Sequence, residues 1–227
     1  FRAMSYLAWP DLAAFLDWAA LRPLTELEFE KAARGPFLPV NGEYAWGTTR
    51  IAAAAAVSGS LEDGTELVTT SGANVRYDNI VLSGGDADQG SDYGQGPLRA
   101  GIFSTDSSDR EASGAGNYGA MDLSGNVKEW TVTVGHPAGL EYPGSHGDGY
   151  LTSAAGFEGQ ADVSGWPGMG TDPTQGVLTA SGAGFRGGSW IDPSSRLSVS
   201  DRAEAAGAFP DAVATYGGRG ARSAEDQ

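Results

Sequence analysis

Apolar positions near the N-terminus recur at helical spacing. They fall at i, i+3, i+4 and i+7, which predicts a helix over residues 10–21 with one buried face. A proline suits the first turn of this helix, and Pro23 lies just beyond its predicted end. The predicted buried face consists of Leu12, Phe15, Leu16 and Ala19.

A second helix is predicted immediately afterwards from its end signals. Thr25 and Glu28 have the spacing of a capping box, in which each side chain accepts a hydrogen bond from the other residue's backbone N–H. Leu24 and Phe29 are spaced to pack together across the start of this helix. Gly35 is the expected residue just past its end.

Residues 51–109 lack a long periodic pattern, and they predict strand fragments at 66–70 and 80–82 between long loops. The stretch 84–96 combines aspartates with glycines and no large aliphatic residue, as in a solvated surface loop. Its carboxylates are an alternative calcium site, although their spacing does not match the EF-hand loop.

A second dense apolar pattern lies within 117–130, followed by a predicted strand at 131–134. Residues 135–184 are again dominated by loops, with a packed turn predicted at 166–168. The core candidates of the dense stretch are Met121, Leu123, Val127 and Trp130.

Three oxygen-bearing side chains, Asp122, Asn126 and Glu129, lie between these core candidates. Such side chains commonly bond loop backbone, which is one interpretation of the stretch. Calcium also prefers oxygen ligands, so a structural cation is the alternative.

The segment 185–190 carries adjacent glycines between a large cation and a tryptophan. The pair Gly187 and Gly188 predicts a backbone that bends or is closely approached. Trp190 is a natural core anchor, and Arg186 requires a carboxylate or carbonyl partner if it is buried. We interpret 185–190 as a rigid support for the segment that follows.

The following segment, 191–216, has small and mixed side chains with neither helical nor strand periodicity. It predicts a surface-exposed ligand-binding region. An ordinary irregular loop is the alternative.

Composition narrows the class of protein. The 227 residues favour one domain over 1–227, and the 35 glycines and 11 prolines predict a loop-rich fold whose core is filled by six tryptophans. The net charge of -15 disfavours a nucleic-acid partner. No apolar run reaches the length of a membrane span, so membrane insertion is not expected. The chain opens at Phe1 rather than at a methionine, so a missing N-terminal portion is expected.

Redox and metal chemistry have few candidate residues. The chain has no cysteine, which excludes disulfides and thiolate catalysis. His136 and His146 are the two histidines, and we expect both to lie in exposed loops without a catalytic or metal-binding role. No catalytic residue is therefore predicted.

Three blocks together resemble the formylglycine-generating enzyme family, also called sulfatase-modifying factors. Residues 22–35 resemble its helix signature, and 118–130 resemble its G-x-x-D-M-x-G-N-V-W-E-W block. Residues 185–190 match its R-G-G-S-W block, and Arg202 and a closing Gly-x-Arg at 217–219 follow. The resemblance implies an α+β, C-type-lectin-like fold with two N-terminal helices, small antiparallel sheets and many long loops.

Departures from this family point away from catalysis. Its cysteine-oxidising members use paired cysteines and copper, and its iron-dependent relatives use a histidine cluster; this chain has neither set. The family's closing G-F-R is Gly217-Gly218-Arg219 here. We expect no required cofactor.

The same scaffold is reused without catalysis by the variable proteins of diversity-generating retroelements, which this chain most resembles. Their diversity arises by mutagenesis of template adenines, typically in AAC codons, between R-G-G-S-W and the closing motif. Such changes never yield Glu, Gln, Lys, Met or Trp, and Glu204 is the one residue of these types in 191–216. The predicted ligand-binding residues are Ile191, Asp192, Ser194, Ser195, Asp201, Ala206, Ala208, Phe209, Asp211, Val213, Thr215 and Tyr216.

The resemblance also implies a structural calcium site at Asn126, the carbonyl of Val127, and Glu129. The calcium motifs of sugar-binding lectins are not seen. The expected partner is a protein or cell-surface ligand, and the expected location is surface-displayed, virion-associated or secreted. The alternatives are a formylglycine-generating or sulfoxide-synthase type of oxidoreductase, and an invariant structural domain of a phage tail or surface layer.

Overall fold

Short helices and strands are separated by long irregular segments in the structure, a computed structural model that describes residues 2–59, 64–85 and 94–223. Few helices and small sheets make up the α+β content that the sequence predicts. The elements are α1 (Trp9–Trp18), β1 (Arg22–Pro23), α2 (Glu26–Arg34), β2 (Val57–Ser58), β3 (Leu67–Val68), β4 (Lys128–Val132), α3 (Pro137–Leu140), β5 (Ala183–Arg186), β6 (Tyr216–Gly217), β7 (Gly220–Ala221), and 3-10 helices at Pro173–Gln175 and Ser194–Arg196.

Helix α1 ends earlier than predicted. The chain leaves the helix after Trp18 through Ala20, whose φ of 53° is left-handed, and Pro23 lies in β1 instead of stopping the helix. Phe15 is 53% exposed, so its predicted burial is wrong. The buried stripe includes Trp9, which the prediction left outside the helix, and Phe15 lies beyond its edge. The residues of that stripe are Trp9, Leu12, Ala13 and Leu16.

Helix α2 confirms its predicted end signals. The hydroxyl of Thr25 accepts a hydrogen bond from the Glu28 N–H at 3.2 Å, and the Glu28 carboxylate accepts one from the Thr25 N–H at 3.0 Å. Leu24 and Phe29 lie in one core cluster, and Gly35 has a φ of 72° at the end of the helix. A cap of this kind stabilises a helix by about 1 kcal/mol, so α2 forms from local signals.

The central sheet has the order β5-β4-β6. Strands β4 and β5 are antiparallel, with Glu129 opposite Arg186 and Val132 opposite Ala183. Strands β4 and β6 are parallel, so the expectation of only antiparallel sheets is wrong. The strand predicted at 131–134 lies at Lys128–Val132, and all five residues are buried because both faces are covered.

Two further pairs are antiparallel. Strands β1 and β7 join the region after α1 to the region before the C-terminus, and β2 pairs with β3. The strand predicted at 66–70 is only two residues long, and 80–82 forms no strand. The calcium alternative for 84–96 rests mainly on aspartates at 86–93, which lie outside the described residues.

Buried apolar residues form three clusters. The first packs α1 against β4 and β5, the second lies under α2, and the third surrounds Val57 and Phe103. Five of the six tryptophans are buried, whereas Trp18 is 65% exposed and does not fill the core. Among the predicted core residues of the dense stretch, Met121 is only partly buried. The remaining three, Leu123, Val127 and Trp130, are buried as predicted.

No helix in the described ranges is long and apolar enough to cross a membrane.

Candidate functional site

The two glycines of 185–190 allow a close backbone approach. Gly187 and Gly188 have φ angles of 86° and 66°, in the left-handed region that favours glycine. A Cβ atom on Gly187 would lie 2.7 Å from the Leu123 carbonyl oxygen, and one on Gly188 would lie 2.7 Å from the Leu197 side chain. The predicted bend and close approach are therefore both present.

Arg186 has the carboxylate and carbonyl partners that a buried arginine requires. Its guanidinium is buried and donates to Glu26 at 3.0 Å and to Glu30 at 3.1 Å, both on α2. It also donates to the carbonyl oxygens of Val199 and Asp201. Through these bonds, Arg186 of β5 is connected both to α2 and to the segment 191–216.

Glu26 is the carboxylate at the centre of this network and is 1% exposed. It accepts hydrogen bonds from Arg186, from Arg202 and from the Val134 N–H. Burial alone would raise the pKa of Glu26. The bonds from Arg202 and Val134 and the charges of both arginines outweigh burial and lower that pKa below its ordinary value.

Trp190 is the last residue of the support formed by 185–190, and it is buried, with 7% exposure. Its backbone N–H donates to the Asn126 carbonyl oxygen at 2.9 Å, and its indole N–H donates to the Ala214 carbonyl oxygen at 3.3 Å. The guanidinium of Arg76 lies 5.8 Å from the ring centre. Trp190, which directly precedes the segment 191–216, therefore links the residues before β4 to the end of that segment.

The segment 191–216 lies mostly at the surface but contains four buried residues. Leu197, Val199, Ala205 and Thr215 have exposures of 0–7%, and the first three anchor the segment. The prediction of Thr215 as a ligand-binding residue is therefore wrong, since this residue is buried, and its carbonyl oxygen accepts a hydrogen bond from the Lys128 N–H. The exposed predicted residues are Ile191, Ser195, Ala206, Ala208, Asp211 and Val213, and the partly buried ones are Asp192, Ser194, Asp201, Phe209 and Tyr216.

Lys128 links two points of this segment to β4. Its ammonium lies 2.6 Å from a Glu204 oxygen and 3.5 Å from an Asp192 oxygen. Asp192 also accepts hydrogen bonds from the N–H and hydroxyl of Ser189. These contacts make Asp192 part of the support as well as of the surface. The sequence does not reveal this link, because Lys128 and Glu204 are 76 positions apart and no local spacing connects them.

Phe209 and Tyr216, the two aromatic residues among the predicted ligand-binding residues, pack on core aromatic rings. The centre of the Tyr216 ring lies 4.1 Å from that of Phe185 and 5.9 Å from that of Trp130. Phe209 lies 5.5 Å from Phe185 by the same measure. Each presents only part of its ring outward, so both positions combine packing with exposure.

Comparison with protein-family models matches residues 4–224 to the sulfatase-modifying factor enzyme 1-like domain. The chain belongs to this family. The family implies a C-type-lectin-like fold, with which the few helices and small sheets described above are compatible. A comparison with curated proteins found no individual match. Membership in the sulfatase-modifying factor family does not decide whether a given member is catalytic, and the assignment of 1–227 to one domain stays a prediction.

The calcium ligands that the sulfatase-modifying factor resemblance implies, Asn126, Val127 and Glu129, lie at the start of β4. The Asn126 amide oxygen accepts a hydrogen bond from the Leu98 N–H at 2.8 Å. Both Glu129 oxygens accept from Arg219, whose Nε lies 2.6 Å from one of them. These side-chain oxygens do not fit a cation as they stand, because it would have to displace Arg219. A calcium ion at this position stays a prediction.

Each of the two histidines accepts one backbone hydrogen bond. His136 accepts a hydrogen bond from the Ala138 N–H at the start of α3, and His146 accepts one from the Ser223 N–H. Both are partly buried, so the expectation of exposed side chains is wrong. Within residues 2–59, 64–85 and 94–223, no group of three or more His, Cys, Asp or Glu side chains is placed to hold a metal ion.

Proposed function

We propose that this sulfatase-modifying factor family member is a non-enzymatic binding protein that presents 191–216 as its ligand-binding surface, like the variable proteins of diversity-generating retroelements. The observation that supports this proposal most is that the segment contains both buried and exposed residues, in different roles. Leu197, Val199 and Ala205 are buried anchors, while exposed side chains stand between and beyond them. Such a segment can change its outer residues without changing its support.

Attachment at both ends supports the proposal. The segment begins after β5 and Trp190 and ends in β6, and both strands pair with β4. Arg202 adds a third attachment through Glu26, and Lys128 a fourth through Glu204. A preorganised surface of this kind loses little conformational entropy when it binds a partner.

The residue types on this surface favour a macromolecular partner. Ile191 is 44% and Val213 is 37% exposed, and Phe209 and Tyr216 offer partial aromatic faces. Apolar and aromatic residues on a rigid loop are typical of surfaces that bind proteins. We propose a protein or cell-surface ligand and a surface-displayed, virion-associated or secreted location.

The encoding locus tests this proposal directly. We expect a reverse-transcriptase gene nearby and a near-copy of the region encoding 191–216, with mismatches confined to adenines of that copy. Sibling genomes should differ at Ile191, Ala206, Ala208, Asp211 and Val213 and agree at the buried anchors. A locus with neither feature and identical C-terminal sequences would instead favour the invariant structural domain.

A catalytic role has a separate test. Members that oxidise a cysteine of their substrate use their own cysteines, and this chain has none. Calorimetric titration with copper and iron salts, followed by incubation with a cysteine-containing peptide, should show neither specific metal binding nor peptide oxidation. Stoichiometric binding together with product formation would establish the oxidoreductase instead.

A further inference from the structure

A cavity of about 420 Å³ lies outside the segment 191–216 and has no role in the proposed display function. Its walls include the apolar side chains of Met4 and Met121 and the charged side chains of Asp122, Glu129 and Arg219. Its volume is in the range of small-ligand sites, and the pairing of an apolar wall with a few polar groups is also typical of them.

The charges in this cavity do not balance. Arg219 donates two hydrogen bonds to Glu129 and a third to the Met121 carbonyl oxygen at 2.8 Å, so its charge is paired with Glu129. Asp122 remains as a second carboxylate. Arg99 also acts on Asp122, but its own guanidinium lies 3.4 Å from the Glu66 carboxylate.

Asp122 has spare hydrogen-bonding capacity. One of its oxygens accepts from the Gly101 N–H at 2.7 Å, and the structure records no hydrogen bond to the other from the described residues. Burial raises the pKa of Asp122, against the opposing effects of the Gly101 bond and of Arg219 and Arg99. A carboxylate that is desolvated in this way gains free energy from a cationic partner.

We propose that this cavity binds a primary alkylammonium group, with Asp122 as its counter-ion and the two methionines around its alkyl chain. A hard metal ion needs about six to eight oxygen ligands, whereas the oxygens of Glu129 and Asn126 are already taken by protein donors. Methionine side chains adapt to irregular apolar groups, which suits a flexible alkyl chain. A free amine and a lysine side chain of a partner protein share this chemistry.

The first experiment is calorimetric titration of the whole chain with n-butylammonium chloride, Nα-acetyl-lysine N-methylamide, 1-butanol and calcium chloride. We expect saturable binding of at least one ammonium compound and none of 1-butanol, which has the same alkyl chain without the charge. Binding of both ammonium compounds indicates a site that also accepts a lysine side chain, and binding of butylammonium alone indicates a free amine. Binding of neither, or equal binding of 1-butanol, overturns the proposal, as does saturable binding of calcium alone.

Two Asp→Asn variants provide a matched comparison. Asp122→Asn keeps the shape and the acceptor for Gly101, and Asn tolerates the left-handed φ of 59°. Asp78→Asn removes the same charge from an exposed residue with a φ of 63°. We expect Asp122→Asn to weaken butylammonium binding about tenfold or more and Asp78→Asn to leave it unchanged. Equal affinity in both variants contradicts the assignment of Asp122.

A measurement on the unaltered protein avoids any effect of a variant on folding. The chain has three methionines, of which Met4 and Met121 line the cavity and Met169 packs on the first core cluster. Butylammonium should shift the 13C-methyl NMR signals of Met4 and Met121 and leave Met169 in place. Shifts of all three, or of none, would refute binding in this cavity. The test is independent of the display proposal, because no cavity residue belongs to 191–216.

Discussion

Glu26 shows how one side chain can hold distant parts of this protein together. It lies in the first turn of α2, yet its carboxylate accepts hydrogen bonds from Arg186 on β5 and from Arg202 in the segment 191–216. The sequence predicted that Arg186 needs an acceptor but could not say which. The two residues are 160 positions apart, so no local spacing connects them.

Replacement of this carboxylate should be costly. Glu26→Gln leaves the buried Arg186 without its full charge partner, for which we expect a loss of about 3–5 kcal/mol in the free energy of unfolding. Urea denaturation at neutral pH measures it. Glu141→Gln, at an exposed residue, is the control and should change the free energy by less than about 0.5 kcal/mol.

The difference in stability between the wild type and Glu26→Gln should depend on pH. The pKa of Glu26 in the folded state is below its ordinary value of 4.5, so its contribution to stability is fully present above that value. It is lost as the pH falls through the lowered folded pKa. The difference between the wild type and Glu26→Gln should therefore shrink in acid, and a difference that grows below pH 4.5 would contradict this network.

Gly187 allows the steric effect of a side chain to be separated from backbone strain. Gly187→Ala and Gly156→Ala have nearly equal φ angles, 86° and 84°, so both incur the left-handed cost of about 1–2 kcal/mol. Only at Gly187 would the new Cβ meet backbone, the Leu123 oxygen at 2.7 Å, whereas Gly156 has no atom within 4 Å. Thermal denaturation should show a clearly larger loss for Gly187→Ala. Equal losses would mean that the backbone there yields without cost.

At the scale of elements, α2 was predictable and β4 was not fully so. The capping box and the closing glycine of α2 are local signals, and the structure reproduces each of them. Strand β4 was placed about three residues too late, because a strand covered on both faces loses the alternation that identifies strands in sequence. Glu129 was predicted to bond loop backbone or a cation, but Lys128 and Glu129 are buried ion-pair partners.

The segment 191–216 should respond very differently at its exposed and its buried positions. A combined Ile191→Ser, Asp211→Asn and Val213→Thr variant should keep its free energy of unfolding within about 0.5 kcal/mol per change. Leu197→Ala removes a fully buried side chain and should cost about 2–5 kcal/mol. Urea denaturation of both variants decides the matter, and a combined variant as unstable as Leu197→Ala would argue against a replaceable surface.

For the whole molecule, the family was predictable from three separated motifs, whereas the long-range pairings were not. Strands β1, β6 and β7 are two residues each, too short to leave a periodic pattern. The candidate surface was predicted as a continuous stretch, but Thr215 is buried, and Phe209 and Tyr216 are partly buried against the first core cluster. The tertiary environment decides such outcomes, since small and aromatic residues serve equally well in a core or on a surface.

The pairing of β4 with both β5 and β6 has a consequence for chain length. The chain pairs with one edge of β4 up to Arg186 and with the other edge from Tyr216, so the intervening residues form a loop that begins and ends beside the same strand. The entropy of closing a flexible loop rises slowly, by about 0.6 kcal/mol for each doubling of its length. Insertions and deletions in the mostly exposed part of this loop, 206–213, should therefore cost little, whereas one extra residue in β4 would turn every following side chain of the strand to the opposite face.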